Sequence, residues 1–352
     1  MNKRRYVLAA VALAVLLFLV LIVWPARPKA NSGPESSVAD SNQASKSTTD
    51  ESPNASGVTT VYAHNLELHK GPQFKVYVRW IRGEMVPTKA GRSPSLDDEE
   101  SFVFRIDRGL IHANLGDLEN YLNSSMAPKS PMKGLKLTGD GQQIKLSGTV
   151  HKLLIPLPVE VLGTFSPAPN GLVHLQVTKI NVMKIPVKGL LGSLKVEIDD
   201  IIGKDPAQGV EVKDNDIYLD TTKLLPPPHI RGQISTITIA RPDVAVTYGT
   251  TDLDDEAQLA QWHNFLRLRG GTVRFGHLTM QPADLTLIDA SGDAWFDLDL
   301  ASYRQQLVKG YSRMTPDNGL EMFLPDVGKA LPPGAVSLDT LKDKKKPLPN
   351  PR

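Results

Sequence analysis

The chain has 352 residues, 40 Lys and Arg against 38 Asp and Glu, a net charge of +2 and no cysteine. That balance provides no field to hold a polyanion, and aromatics are only 6% of the residues, so nucleic-acid binding has no support. Without cysteine, disulfides, thiolate nucleophiles and zinc–thiolate centres are excluded.

Residues 1–6 form a basic start carrying Lys3, Arg4 and Arg5. Residues 7–24, VLAAVALAVLLFLVLIVW, are apolar and uncharged. As a helix they span about 27 Å, close to the hydrocarbon thickness of a bilayer. The basic flank predicts a cytoplasmic N-terminus and an extracytoplasmic remainder, with Trp24 as an interfacial anchor. A cleaved signal peptide has a shorter apolar region, and Pro25–Ala30 is a poor cleavage site. The expectation is a single-pass signal anchor in the cytoplasmic (inner) membrane. Residues 25–57 are rich in Ser, Thr, Asn, Pro and Ala, too polar to offset the entropy of ordering, and read as a disordered linker.

Residues 58–325 read as one β-rich extracytoplasmic domain, with a subdivision near 250 compatible with the pattern. Strands are predicted at Phe74–Ile81, Phe102–Arg105, Leu135–Leu137, Ile144–Val150, Val159–Phe165, Leu172–Val182 and Leu194–Ile198. More follow at Ile217–Leu219, Ile234–Ile239, Val244–Tyr248, Thr272–Met280, Asp284–Ile288 and Ala294–Leu300. Gly139-Asp140-Gly141, Pro167–Gly171 and Lys213–Asp216 are hairpin ends, which points to antiparallel pairing. Four helices are expected: Asn114–Leu122, Val187–Leu194, Asp252–Leu268 and Leu300–Tyr311. The third has an acidic start, a basic end and the Gly270-Gly271 stop. Residues 326–352 form a Pro- and Lys-rich tail.

Catalytic motifs are scarce. The eight histidines form no HExxH or HxH, there is no GxSxG elbow and no Walker loop, and Ser130-Pro-Met-Lys133 stands without its partner motifs. Asp297 and Asp299 alternate with Phe296, Leu298 and Leu300, which makes them the solvated face of a strand. No cofactor or metal is expected, and the chain reads as a non-enzyme. Apolar residues do fall on both parities of KLLIPLPVEVLG, Lys152–Gly163, and in the doublets Leu190-Leu191 and Ile201-Ile202. Either helices cover the second face, or the sheet wraps round a ligand.

The order of "IHANLGDLENYLN", "LTGDGQQIKLSGTVHKLLIPLPVEVLGTF", "GLVHLQVTKINVMKIPVKGLLGSL" and "NDIYLDTTKLLPPPHIRGQISTITI" resembles the tubular lipid-binding (TULIP-like) proteins of bacterial cell envelopes. The likeness covers roughly Ile111–Ile239; the Arg269–Leu300 block departs from the simplest members and reads as an added module. The resemblance implies a mainly β (α+β) fold, a long curved antiparallel sheet wrapping amphipathic helices, with a lipid-accommodating groove. The groove lining would come from Leu115, Leu118, Leu122, Val159, Val161, Phe165, Leu190, Leu191 and Leu194, positions that serve equally as ordinary core. The expected partners are the membrane, through the N-terminal helix, and a lipid or lipid-linked intermediate, in envelope assembly or lipid transport. An envelope protein partner and a structural role form the alternative, and an envelope hydrolase or transferase is a third.

Overall fold

The computed structural model describes residues 57–71, 73–125, 131–152, 155–182, 196–203, 206–250, 262–291 and 293–329. The expected membrane helix, the linker up to residue 56, the helix at Val187–Leu194 and the tail beyond Lys329 lie outside these residues. Among the described residues no helix is long and apolar enough to cross a membrane.

The protein is mainly β. The chain runs β1 (Thr59–His69), β2 (Lys75–Pro87), β3 (Phe102–Asn114), helix α1 (Leu115–Ser125), β4 (Met132–Asp140), β5 (Gln143–Lys152), β6 (Ile155–Pro167) and β7 (Val173–Val182). It continues through α2 (Ile198–Ile202), β8 (Val210–Lys213), β9 (Asp216–Leu219), α3 (Thr221–Leu224), β10 (His229–Gly232), β11 (Ile234–Ala240) and β12 (Asp243–Tyr248). The last part holds β13 (Phe265–Gly270), β14 (Val273–Phe275), β15 (Leu278–Met280), β16 (Ala283–Asp289), β17 (Phe296–Leu298), α4 (Tyr303–Lys309), β18 (Tyr311–Met314) and β19 (Leu320–Leu324).

These strands make two large sheets and one short hairpin. The first sheet has the order β11-β12-β3-β2-β1-β13-β16-β19-β18, with β10 added on β3 and β17 on β1. The second is a fully antiparallel run, β4-β5-β6-β7-β9-β8. Its hairpins turn at the predicted places, with Gly141, Gly171 and Asp214 all at positive φ. Strands from both sides of position 250 share the first sheet, because β1 pairs β13 through Val61↔Leu268 and its neighbours.

Strands β1 and β2, at the centre of the first sheet, change character at one level. β1 buries Val61 and Ala63, then Leu66 and Leu68, a shift of parity around Asn65, which is fully buried at φ +47°. The β1–β2 register runs through this point without a shift, from His64↔Trp80 to Leu66↔Val78, so it is the left-handed backbone of Asn65, with no residue inserted, that turns the following side chains to the opposite faces. β2 shows a matching irregularity, with Val76 and Val78 inward on one side of Arg79-Trp80 and Ile81 and Met85 on the other. At the same level β1 exchanges β13 for β17 as neighbour, and a few residues away, at the β2–β3 irregularity between Arg82 and Gly83, β3 exchanges β10 for β12.

Two main apolar cores result. The first lies under the large sheet and takes in Phe74, Phe102, Phe104, Leu268, Leu285 and Phe296, closed by Leu96, Phe275 and Tyr303. The second joins the inner face of the six-stranded sheet (Ile144, Val159, Val161, Leu175, Ile217) to Leu115 of α1, Ile198 and Ile201 of α2, and Ile239 and Val244 of β11 and β12.

Several expectations need correction. The predicted helix Asp252–Leu268 is wrong at its C-terminal end: Phe265–Leu268 belong to β13, which β1 and β16 hydrogen-bond on both edges. Ladder partners on both sides outweigh the helical spacing of Trp262, Phe265 and Leu266. The predicted strand Leu194–Ile198 is also wrong at its end, since Ile198 opens α2, where Glu197 and Asp200 form a capping box. β1 went unpredicted, because TTVYAHNLELH loses its two-residue alternation at Asn65. The folded part also runs beyond residue 325: Asp326 is 3% exposed and accepts the Asp297 N–H.

Backbone crowding between β2 and β3 is testable. A Cβ on Gly83 would sit 2.1 Å from the Arg105 carbonyl oxygen of β3. Gly83→Ala should therefore destabilise by about 1–3 kcal/mol, whereas Gly57→Ala, with nothing within 4 Å, should stay within about 0.5 kcal/mol. Urea unfolding midpoints of the two variants check this.

Candidate functional site

The outward faces of β17, β1, β2, β3 and β12 carry a continuous row of polar side chains. Beyond Asn65, Glu67 and His69 leave the core face and point outward together. Register sets Asp297 of β17 beside Glu67, Tyr77 of β2 on its other side, and Lys75 beside His69. Further along, Tyr77 pairs with His112, and Asn114 with Asp243.

The densest part of this row is the group at the end of the β1–β2 hairpin. His69 Nε2 lies 2.5 Å from Asp297 Oδ1. The Lys75 ammonium donates to Glu67 and lies 3.8 Å from Asp297 Oδ2. Glu67, His69 and Asp297 are all half-buried. Burial works against the charge of Lys75, but the Glu67 hydrogen bond and the charges of Glu67 and Asp297 outweigh it and hold the ammonium above its ordinary value. Burial, then the charges of Glu67 and Asp117, push the Tyr77 hydroxyl up to about 12.

Next to this group the chain buries two opposite charges. Lys70 is fully enclosed and donates to the Pro228 carbonyl, and its burial pulls the amine down to about 7. Burial and the charge of Asp299 push Glu99 up to about 7, while Lys70 and His69 pull it back. Asp297 and Asp299 do sit on the outward parity expected of them, but neither is a free surface carboxylate. Asp297 holds His69, and Asp299 accepts from Ser302 and the Ala301 N–H at the entry to α4.

A Ser–His–Asp line lies on the polar face of the second sheet. His174 Nδ1 is 3.0 Å from Ser166 Oγ, and its Nε2 is 2.8 Å from Asp216 Oδ1. The composition is that of a hydrolytic triad. Its setting is not: the next residue, Pro167, has no N–H to offer an oxyanion, and the imidazole stacks flat on Tyr218 with ring centroids 4.9 Å apart. All four residues are cross-strand neighbours on β6, β7 and β9, so the line reads as a ladder that ties the strands together.

The residues proposed to line a groove separate into three groups. Leu115, Val159 and Val161 are buried inside the second core. Leu118, Leu122 and Phe165 are half-buried and pack against its edge. Leu190, Leu191 and Leu194 lie outside the described residues, as do Lys3, Arg4, Arg5 and Trp24. Sequence reasoning missed the Glu67–His69–Asp297–Lys75 group altogether, since its members come from three strands and His69 and Asp297 are 228 positions apart. The one available signal was the i, i+2 spacing of Glu67 and His69. Comparisons with protein-family models, with curated proteins and with solved structures find no match to the chain.

A third polar group fixes the far end of the first sheet. Asn65 Nδ2 donates to Asn264 Oδ1, and Asn264 donates to Asp289 Oδ2 and to the Asp293 carbonyl. Burial pushes the Asp289 carboxyl up to about 7, above its ordinary 3.8, against the pull of its Asn264 hydrogen bond. The native protein therefore keeps a proton on Asp289 that the unfolded chain releases. This side chain's contribution to stability falls as the pH rises from about 4 through about 7, and is level above that. Asp289→Asn should remove the dependence, so its stability relative to the parent should improve between pH 4 and pH 7. Urea midpoints across that range check it, and a constant difference would show that the carboxyl is not shifted.

Proposed function

We propose that the chain is a membrane-anchored, extracytoplasmic, non-catalytic protein that binds the acyl chain of a lipid or lipid-linked intermediate along the edge of its second core. The observation that carries this reading is the looseness of that core. Among the described residues the first core has 29 buried apolar residues with 11 half-buried ones around it; the second has 16 with 14. Half-buried Leu122, Leu135, Leu146, Phe165, Ile180 and Val182 leave apolar surface that a single well-packed layer would cover. An acyl chain suits such surface, because each CH₂ removed from water contributes about 0.8 kcal/mol without requiring a polar partner.

Further support comes from the sequence. The likeness to tubular lipid-binding proteins covers the strands that build the second core, and a sheet curved around α1 is the arrangement that likeness implies. Register shifts between Lys133 and Lys136 and between Leu162 and Gly163 put bulges into β4 and, at Thr178, into β7, and bulges of this kind bend a sheet. The apolar stretch at 7–24 supplies the anchor, with the N-terminus in the cytoplasm and the β domain on the outer side of the inner membrane.

Placement of a photoreactive benzoylphenylalanine tests the assignment. With the full chain in its native membrane, Leu122 and Phe165 substituted in this way should give lipid-mass adducts on illumination, whereas a probe at the exposed Glu211 should not. Adducts with a single protein species at Leu122 and Phe165, and no lipid, would instead establish the docking of an envelope partner. No adduct at either position would identify the second core as closed.

A further inference from the structure

Glu67, His69 and Asp297 are the one group among the described residues where an imidazole and two carboxylates offer ligand atoms all within 4.8 Å of one another. We propose that these three side chains bind a divalent transition-metal ion of the zinc class, and that the Lys75 ammonium occupies the cation position until the metal displaces it. The site is independent of the lipid-binding reading and lies in the other sheet.

The donors are set by backbone, not by flexible loops. Glu67 and His69 share a face as i and i+2 of β1, and the parallel register Glu67↔Asp297 places the third donor directly alongside. Side chains held by strand pairing need little reorganisation to accept a ligand. One imidazole nitrogen and two carboxylate oxygens form a donor set that zinc takes, at about 2.0–2.2 Å per bond and so with donors about 3.3 Å apart. His69 Nε2 and Asp297 Oδ1 are already closer than that, at 2.5 Å, so the ion would part them slightly while drawing Glu67 in.

The surrounding charge also favours a dication. Lys75 makes ion pairs with both carboxylates of the group, so a positive charge already stands where the metal would go. Its side chain is one-third exposed and can swing into water. Asp299 adds negative charge beside the group, and Glu99 lies within electrostatic reach of both Asp299 and His69. The resulting ion would cross-link β1 to β17, which joins the start of the folded chain to its last third.

Isothermal titration of the chelator-treated full chain with Zn²⁺ tests the proposal. One equivalent should bind, with Mg²⁺ unable to compete. Glu67→Gln and His69→Ala should each weaken binding by about tenfold or more, and Lys75→Met should strengthen it by about tenfold. Glu67→Gln is nearly isosteric, so it reports on the ligand even if His69→Ala does not fold. Two outcomes would overturn the site: no zinc binding by either the parent or Lys75→Met, or stoichiometric binding unchanged by Glu67→Gln. Weaker binding in Lys75→Met would overturn the displacement of the ammonium.

Discussion

A strand has two edges, and each backbone N–H and C=O on an edge can be satisfied by one neighbour at a time. The first sheet is organised by how β1 spends its second edge. One edge runs against β2 for nearly its whole length. The other takes β13 up to His64 and β17 from Leu66, with Asn65 between them. That exchange brings two distant parts of the C-terminal third onto one strand. It also turns the side chains after Asn65 to the opposite face, so Leu66 and Leu68 enter the core while Glu67 and His69 leave it. The charged group around Lys75 exists because of this reversal of faces at Asn65. Asn65 is held there by its own side chain, through Asn264 to Asp289.

The two sheets solve burial differently. The large sheet closes on aromatic and branched residues that are almost wholly removed from water, and Tyr303 seals one end with a hydrogen bond to Asp97. Among the described residues the six-stranded sheet has smaller partners: one helix of 11 residues, one of five, and the ends of β11 and β12. Such partners do not cover strands of 10 to 13 residues completely. The apolar edge that remains is the physical basis for reading this layer as a lipid-facing one. The buried polar groups belong to the first sheet, where Lys70, Glu99 and Asp289 all sit far from their ordinary protonation behaviour.

The β character, the hairpin turns and the helices at Leu115–Ser125 and Tyr303–Lys309 were legible in the sequence. Each rests on local signals: two-residue alternation, Gly and Asn at turn positions, and a single apolar stripe. Phe265–Leu268 shows where such signals fail. Trp262, Phe265 and Leu266 have helical spacing, yet hydrogen bonds from β1 and β16 make a strand of the last two. Val159 and Phe165 show a subtler failure. Both were rightly placed on an apolar face, but no local pattern tells a fully buried valine from a half-buried phenylalanine at the margin of the same core.

By itself the sequence determined which segments are extended, which side of each regular strand is apolar, and where the chain turns, because these depend on residues at most a few positions apart. It also determined the basic-then-apolar start at residues 3–24. Only the tertiary structure decided which strands are neighbours, where β1 changes partner, and that Asp297 meets His69. Pairing depends on the free energy of whole ladders and cores, summed over residues hundreds of positions apart. A polar group assembled across that distance leaves no trace in the spacing of any one segment.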